Sequence, residues 1–339
     1  MRRVAALLAA ALAALGCAGC GGDGAEPGAP EGAAETTPAT LVLDFQPNAV
    51  HTGIYAAKEG GYFADRGVDV EIREPSDTAD GAKLLEAGRA DFAVMDINDY
   101  GIARSRGLDL LAVASIVQRP LAAVIATDPN RVQRPRDLEG GTVGVTGVPS
   151  DDAVLDTILA ADGSDPGSVK RITTGFNAVQ ALAAGKIDAA TAFWNAEAVQ
   201  LRALGVPTQE FRVDEYGAPR YPELLLVIDG RAVTDPDGSA TACAVVDGLS
   251  RGYDDLANDP AAALEALTGA VPDLDPAVQE AQLAELTGGA AFSAGAKKRP
   301  SSLLQFGAVE EWAVWAEENG IVSRYPAPAR PLVCKKPVG

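Results

Sequence analysis

Apolar and polar positions alternate along this chain with two different periods. Short apolar runs with a period of two predict strands, and longer segments with a period near that of a helical turn predict helices with one buried face. Because strands and helices follow each other in turn, the pattern predicts an α/β fold. The predicted strands are 40–43, 68–72, 92–95, 124–126, 189–193 and 224–228, and the predicted helices open near Thr52 and cover 80–87, 151–161, 177–184, 240–253, 260–268, 275–285 and 303–319.

One sequence of helix, glycine and strand occurs twice. Residues 85–93 are LEAGRADFA, and residues 182–190 are LAAGKIDAA. In both copies the glycine (Gly88 or Gly185) can adopt the left-handed conformation that ends a helix, and the aspartate three residues later begins a strand. Each copy alone is a common connection, but two copies about a hundred residues apart predict two α/β lobes of similar construction.

The lobe boundaries are predicted from two apolar runs that end in turn residues. The first run, 124–126, precedes Asp-Pro-Asn, and the second, 224–228, precedes Asp-Gly. Two crossings at these points put residues 40–127 and 224–339 in lobe 1 and residues 128–223 in lobe 2. The C-terminal helices then return to lobe 1. A double crossing forms a hinge, so closure of the lobes is the expected motion.

Polar and aromatic residues follow three of the predicted strands. These stretches are 45–51, which contains the only histidine of the chain, 96–100 and 194–197. Open α/β sheets bind ligands at the carboxyl ends of their strands. If the two lobes face each other, the three stretches line one cleft.

The N-terminus predicts export and lipidation. Arg2 and Arg3 precede an apolar stretch, 4–15, that is short for a membrane span, and Cys17 and Cys20 each follow a small residue. Residues 1–20 therefore look like a bacterial lipoprotein signal with Cys17 or Cys20 as the lipidated residue; an ordinary cleaved signal is the alternative. Residues 21–39 are rich in glycine, alanine and proline and predict a flexible tether.

Charge and cysteine content exclude several classes of protein. A net charge of -19 argues against binding of nucleic acid, which requires basic patches. With one histidine and four cysteines, a metal site rich in these residues is not expected. Outside the signal region only Cys243 and Cys334 remain. In an oxidising compartment they form one disulfide or remain two free thiols.

A resemblance to a known family follows from the motifs around the single histidine. Residues 43–57 (LDFQPNAVHTGIYAA) and 194–197 (WNAE) resemble the thiamine-pyrimidine-precursor family of solute-binding proteins, which have the two-lobed type II periplasmic binding-protein fold and deliver ligand to ABC importers. The segments GGYF (60–63), GVDV (67–70), AGRAD (87–91) and GKID (185–188) are similar to landmarks of that superfamily. The chain departs from the family pattern at Phe45, where tryptophan is usual, and at the acidic residues 96–99, which leave a modified or cationic ligand open.

The resemblance implies a function without catalysis. We expect a monomeric, extracytoplasmic lipoprotein that captures a 4-amino-5-substituted-2-methylpyrimidine by lobe closure, delivers it to a membrane ABC permease and uses no cofactor. The alternatives are a binding protein for a flavin-like heterocycle or a sulfonate, and a sensor domain. A more remote alternative is a synthase like those of yeast, which consume a histidine and pyridoxal phosphate to build the same pyrimidine.

A flat aminopyrimidine needs aromatic faces, an acceptor for its amino group and polar groups along its edge. Glu197 is the expected acceptor, Asn48 or Asn195 the edge amide, and His51 a donor. Phe45, Tyr55 and Trp194 are candidates for stacking, although Trp194 and Tyr55 also fit core positions, Asn48 a turn and Glu197 a solvated first helical turn. The predicted ligand-binding residues are Phe45, Asn48, His51, Tyr55, Asp96, Trp194, Asn195 and Glu197.

The loop at 146–150 precedes the predicted helix 151–161 and offers backbone N–H groups to an anion. However, Asp151 and Asp152 lie in the first turn, where they compensate the helix dipole and repel phosphate. The sequence therefore favours an unphosphorylated ligand, with Ser150 as a simple N-cap.

Overall fold

The first of two five-stranded sheets begins in what the sequence predicted to be tether. The computed structural model describes residues 36–76, 80–289, 291–292, 304, 306–325 and 332–334. The signal region with Cys17 and Cys20, and the tether up to residue 35, lie outside them. Strand β1 covers Thr37–Val42, so the strand starts three residues before the predicted position.

The first sheet combines parallel strands with one antiparallel strand. Its other members are β2 (Val68–Arg73), β3 (Phe92–Asp96), β4 (Leu110–Val117) and β10 (Leu224–Asp229). The order is β2-β1-β3-β10-β4, in which β1 pairs in parallel with β2 and β3, and β10 is antiparallel to β3 and β4. A late segment of the chain thus completes the sheet that the first residues begin.

The second sheet repeats this arrangement. Its strands are β5 (Ala122–Ala126), β6 (Thr142–Val145), β7 (Lys170–Thr173), β8 (Ala189–Phe193) and β9 (Gln209–Arg212), in the order β7-β6-β8-β5-β9. The antiparallel member is β5, which pairs with β8 and β9. The sequence assigned 124–126 to lobe 1, and this was wrong, because an apolar run does not reveal which sheet it pairs with. The first crossing therefore lies between Val117 and Ala122.

The repeated helix–glycine–strand sequence occupies equivalent positions in the two sheets. Gly88 and Gly185 have φ values of 63° and 64°, the left-handed conformation that was predicted. Asp91 accepts a hydrogen bond from the Thr40 backbone N–H at 2.8 Å, and Asp188 accepts one from the Thr142 N–H at 2.7 Å. Each aspartate thus links the start of the third strand to the first strand of its own sheet.

Helices cover both sheets. Their bounds are α1 (Thr52–Glu59), α2 (Asp80–Glu86), α3 (Ile97–Ser105), α4 (Pro149–Ala161), α5 (Ala178–Ala183), α6 (Glu197–Ala203), α7 (Pro236–Asn258), α8 (Pro260–Ala270), α9 (Pro276–Gly288) and α10 (Phe306–Glu318). Helices α1 and α7 approach very closely, because a Cβ at Gly252 would lie 2.1 Å from the carbonyl oxygen of Gly53. Among the helices of the described residues, none has the length and apolar character that a membrane crossing requires.

Helix α9 connects both halves of the fold, whereas the sequence predicted that the C-terminal helices return to lobe 1 alone. In α9, Gln282 accepts from the Ala49 N–H and donates to the Ala196 carbonyl, both at 3.4 Å, so it touches loops after a strand of each sheet. Cys243 in α7 forms a disulfide with Cys334, which resolves the choice that the sequence left open. The C-terminal segment is therefore tied to α7.

Candidate ligand-binding site

A cavity of about 300 Å³ lies at the carboxyl ends of strands from both sheets. Four of the eight predicted residues line it: Phe45, Asn48, Asp96 and Glu197. These four come from the loops after β1, β3 and β8, the three strand ends that the sequence analysis selected. That they contact a ligand stays a prediction. The remaining four residues, His51, Tyr55, Trp194 and Asn195, do not line the cavity.

Phe45 lines the cavity and contacts an aromatic ring from the other side of the fold. Its ring meets the ring of Phe176 edge to face, with centroids 4.7 Å apart and planes at 83°. Phe45 follows β1 of the first sheet, and Phe176 follows β7 of the second. The sequence analysis missed Phe176, whose only local signal is an aromatic residue in the turn before α5. The pair joins the two sides of the fold at the cavity.

Asn48 organises the loop that carries Phe45. Its side chain accepts from the Val50 N–H at 3.1 Å and donates to the Gln46 carbonyl at 3.0 Å. Asn48 is therefore a turn residue, the alternative that the sequence allows for this position. It also lines the cavity, but much of its hydrogen-bonding capacity is used within the loop.

The structure places His51 behind the cavity wall, which corrects its predicted role as a direct donor to the ligand. The imidazole is fully buried, its Nδ1 accepts from the Asn48 N–H at 3.1 Å, and its Nε2 lies 2.9 Å from Oδ1 of Asp44. Because Nδ1 is an acceptor, the ring proton is on Nε2 and is donated to Asp44. Asp44 lines the cavity and was not among the predicted residues. His51 thus acts as a positioning residue for Asp44.

Tyr55 belongs to the core, which corrects its assignment to ligand stacking. It lies in α1 among buried apolar residues of the larger core cluster. Burial and the nearby carboxylate of Glu74 raise the pKa of Tyr55 to about 12. The side chain points from a helix face that packs inward, a direction that the motif alone does not reveal.

Trp194 is also a core residue and does not stack in the cavity. Its ring is fully buried, with the guanidinium groups of Arg119 and Arg212 at 5.2 and 4.3 Å from the ring centroid. The indole N–H donates to the Pro120 carbonyl at 3.0 Å. Pro120 lies in the first crossing between the sheets, so Trp194 supports that crossing. Trp194 therefore lies next to the cavity in sequence, but its ring packs in the interior and does not line the cavity.

Asn195 is likewise sealed in the interior, which corrects its predicted role at the ligand edge. The residue is fully buried, and neither polar atom of its side chain has a hydrogen-bond partner among the described residues. A buried amide without partners is costly. We have no physical account of this arrangement.

Glu197 reaches the cavity from the first residue of α6. Its carboxylate accepts a hydrogen bond from the Phe193 N–H at 2.9 Å, which fixes it against the end of β8. Burial raises the pKa of Glu197 from 4.5 to about 7, and the negative charges of Asp44 and Asp151 act in the same direction. The group is therefore poised to change its charge near neutral pH and to accept from a donor that enters the cavity.

Carboxyl groups dominate the polar part of the cavity wall. Loss of hydration, with neighbouring negative charges, raises the pKa of Asp96 and Asp99 well above the ordinary value, and burial raises the pKa of Asp151. The two cationic side chains in the lining, Lys83 and Arg106, are exposed to solvent. The lining carboxyl groups belong to Asp44, Asp96, Asp99, Asp151 and Glu197.

A buried carboxylate connects this wall to the crossings. Glu223 lies directly before β10, and its side chain accepts from the backbone N–H groups of Leu121 and Ala122 on the other crossing. Its charge is one cause of the raised pKa of Asp96. The sequence analysis did not select Glu223, because its partners Leu121 and Ala122 lie about a hundred residues away in the chain. The segments that join the two sheets therefore meet next to the cavity.

Comparison with known proteins gives consistent results. A model described as NMT1/THI5 like matches residues 48–263. The chain is 35% identical over 228 residues to a formylaminopyrimidine-binding protein of Halalkalibacterium halodurans, covering 67% of this chain and 68% of that protein. It is 27% identical over 176 residues to a 4-amino-5-hydroxymethyl-2-methylpyrimidine phosphate synthase of Legionella pneumophila, covering 52% of this chain and 55% of the synthase.

A solved structure shows the same fold. The alkanesulfonate-binding protein SsuA from Xanthomonas axonopodis pv. citri, bound to MOPS, superposes with a TM-score of 0.68 and covers 87% of this chain and 96% of its own, at 19% identity. This likeness confirms the predicted two-lobed α/β fold of type II periplasmic binding proteins.

Proposed function

The chain belongs to the NMT1/THI5-like family, and we propose that it is the extracytoplasmic solute-binding protein of an importer that captures an aminopyrimidine precursor of thiamine. One observation carries the proposal: Phe45 and Glu197, from opposite sheets, line a single cavity of about 300 Å³. That volume is at the lower end of the range for small-molecule sites and suits one substituted ring.

The cavity offers the groups that a 4-aminopyrimidine needs. Phe45 supplies aromatic surface to the cavity, and Phe176 supports its ring through a contact of a kind that contributes about 0.5–1.5 kcal/mol beyond the area buried. Glu197 is the proposed acceptor for the exocyclic amino group, and Asp44 is a second acceptor held by His51. The related binding protein of H. halodurans is named for a formylaminopyrimidine, which has the same ring chemistry.

A synthase function is the main alternative, since one relative is named as a pyrimidine phosphate synthase. The position of His51 supports binding over that chemistry. A histidine that is consumed must be within reach of the reacting molecule, whereas His51 is fully buried behind Asp44 and does not line the cavity. Turnover is therefore not part of the proposed function.

A sulfonate-binding function is the second alternative, because the fold is shared with an alkanesulfonate-binding protein. The carboxyl groups of the cavity wall argue against it. The polar side chains that an anionic ligand would meet at the cavity wall are mainly carboxyl groups, whereas the cationic Lys83 and Arg106 are exposed to solvent, where their charges are screened. The proposed ligand is accordingly neutral or cationic.

The proposed setting is the outer face of a bacterial membrane. We propose a lipid anchor at Cys17 or Cys20, a monomeric chain and a membrane permease as the partner that receives the ligand. Metabolic labelling with palmitate tests the anchor: label that persists in Cys17→Ala and is lost in Cys20→Ala, or the reverse, identifies the modified residue. Label absent from the wild-type chain contradicts the anchor.

Calorimetry on ligand-free protein tests the function. We expect binding of 4-amino-5-hydroxymethyl-2-methylpyrimidine and of its formylamino relative, and weaker binding of an analogue with hydroxyl in place of the 4-amino group. A hydrogen bond to a charged group contributes about 1.5–3 kcal/mol, so the analogue should bind roughly ten- to a hundredfold more weakly. The variant Glu197→Gln should lose most of this discrimination.

Mass spectrometry of molecules that co-purify with the protein provides an independent check. An aminopyrimidine released on denaturation supports the proposal. Absence of binding to every aminopyrimidine tested, or production of pyrimidine by the wild-type protein with iron and pyridoxal phosphate, contradicts it.

A further inference from the structure

Two hydrogen-bond donors of the loop before α4 are occupied by a carboxylate of the chain itself. Oδ2 of Asp151 accepts from the Thr146 hydroxyl at 2.6 Å and from the Gly147 N–H at 3.0 Å. Its other oxygen, Oδ1, accepts from the hydroxyl of Thr191 in β8 at 2.8 Å. One carboxylate thus joins the loop to the neighbouring strand at the cavity wall, where Thr146, Asp151 and Thr191 are all lining residues.

A second carboxylate takes the next donor along the same turn. The Ser150 N–H donates to Oδ1 of Asp99 at 3.3 Å, and Asp99 comes from α3 beside the first sheet. Backbone N–H groups at the start of a helix, together with nearby hydroxyls, are the usual donors for a bound anion. Here each of these donors faces a carboxylate oxygen of the protein.

We propose that Asp151 is a specificity-determining residue: its carboxylate occupies the place of a ligand anion and excludes pyrimidines that carry a phosphate or sulfonate group. This inference rests on the proposed function and extends it by naming the chemical class of ligand that the cavity excludes. An anionic substituent placed at this loop would find the Thr146 hydroxyl and the Gly147 N–H already bonded to Asp151, and it would face the carboxylate of Asp151. Like charges in such contact cost several kcal/mol.

A cap for α4 is the simplest other role for Asp151. The N-cap residue is Val148, whose side chain makes no capping hydrogen bond. Asp151 instead accepts from the Gly147 N–H just before it. Capping accounts for that one bond. It does not account for the two threonine hydroxyls or for the position of the carboxylate at the cavity wall.

Asp152 provides a matched control. It is the next residue in the same helical turn and carries the same charge, but its side chain is exposed and forms an ion pair with Arg171 at 3.4 Å. Substituting Asp152 therefore removes one negative charge from the helix start without freeing the donors of the loop. The comparison separates occupation of the donors from a general effect of charge.

The experiment measures Kd for 4-amino-5-hydroxymethyl-2-methylpyrimidine and for its phosphate ester, by calorimetry near neutral pH. In wild type we expect the ester to bind roughly a hundredfold more weakly, in keeping with a like-charge penalty. In Asp151→Asn this ratio should fall by about tenfold, because the amide can donate to the ester and carries no charge. In Asp152→Asn the ratio should stay as in wild type.

The outcomes separate this inference from the proposed function. A wild type that binds the ester as tightly as the alcohol, or a ratio that does not change in folded Asp151→Asn, overturns the role of Asp151 while leaving pyrimidine binding intact. Failure to bind either pyrimidine contradicts the proposed function instead. If thermal melting shows that Asp151→Asn is unfolded, two other measurements replace it. The first is the ratio of the two Kd values in Asp99→Asn, and the second is titration of the wild type with MOPS. A ratio equal to that of the wild type, or saturable MOPS binding in the cavity, overturns the inference.

Discussion

Nε2 of His51 lies 2.9 Å from Oδ1 of Asp44, and of these two residues only Asp44 lines the cavity. The histidine of the motif is therefore separated from the cavity by Asp44. Its hydrogen bond restricts the direction of the Asp44 carboxylate. The same contact explains why the single histidine lies in this loop although it does not face the cavity.

This geometry predicts that His51 acts on ligand affinity through Asp44. His51→Ala should weaken aminopyrimidine binding by up to about 1.5–3 kcal/mol, the contribution of a hydrogen bond to a charged group. In an Asp44→Asn background the same substitution should cost much less, which gives a coupling energy of at least about 0.5 kcal/mol in a double-mutant cycle. His51→Gln, which can still donate to Asp44, should recover part of the affinity. Strictly additive losses would show that His51 contributes only to folding.

The raised pKa of Glu197 predicts a stability that depends on pH. Because its pKa is about 7 in the folded protein and 4.5 ordinarily, the folded state holds the proton more tightly between these values. The resulting stabilisation is complete below about pH 4.5 and is lost as the pH rises through about 7, by up to about 3 kcal/mol. Glu197→Gln should remove this contribution, so the free energy of unfolding should vary less between about pH 4.5 and 7.

Denaturant unfolding at several pH values checks this prediction. The matched control is Glu59→Gln, an exposed carboxylate at the end of α1, which should keep the wild-type pH dependence. Asp96, Asp99, Asp151 and Glu223 also have raised pKa values and will leave a residual slope in every variant. Identical pH profiles for wild type and Glu197→Gln would contradict the assignment.

The Phe45–Phe176 contact predicts that the aromatic pair holds the two sides of the fold together next to the cavity. Phe176→Ala removes a ring that meets Phe45 from the opposite sheet, at a cost of about 0.5–1.5 kcal/mol. Ligand affinity should fall by up to about tenfold, because a smaller fraction of the free protein is then competent to bind. Small-angle scattering should show a larger radius of gyration for the free variant and a return to the wild-type value with ligand. Unchanged affinity and radius would exclude this role, and Phe45→Trp serves as a control that keeps the aromatic contact.

The burial of Trp194 predicts a separation of stability from affinity. Trp194→Phe removes the N–H that donates to Pro120 and weakens the contacts with Arg119 and Arg212. We expect the free energy of unfolding to fall by about 1–3 kcal/mol, since a buried acceptor loses its partner. The Kd for aminopyrimidine should change by less than about twofold, or about 0.4 kcal/mol. A large loss of affinity with unchanged stability would show instead that the indole stacks on the ligand.

Much of the architecture followed from local signals. The glycines at 88 and 185, the strands that follow them and the helix that opens near Thr52 were predicted from short patterns, and the structure contains them. Such features depend on backbone preferences and on periodicity within a dozen residues, which the chain carries whatever it packs against. Short strands such as β6, β7 and β9 were missed, because four residues contain too few repeats to establish a period.

The chain alone was also sufficient for the α/β fold, the family motifs, the acidic charge and the loops from which a site would be built. It did not determine which side chain of each loop faces the cavity. His51 and Trp194 carry the strongest motif signals and both point into the interior, whereas Asp44 and Asp99 reach the cavity wall, and Phe176 contacts Phe45, which lines it. The direction of a side chain depends on the partner that packs against it, and those partners are far apart in sequence. Local pattern therefore identified the loops near the cavity, but only long-range packing determined which of their side chains face it.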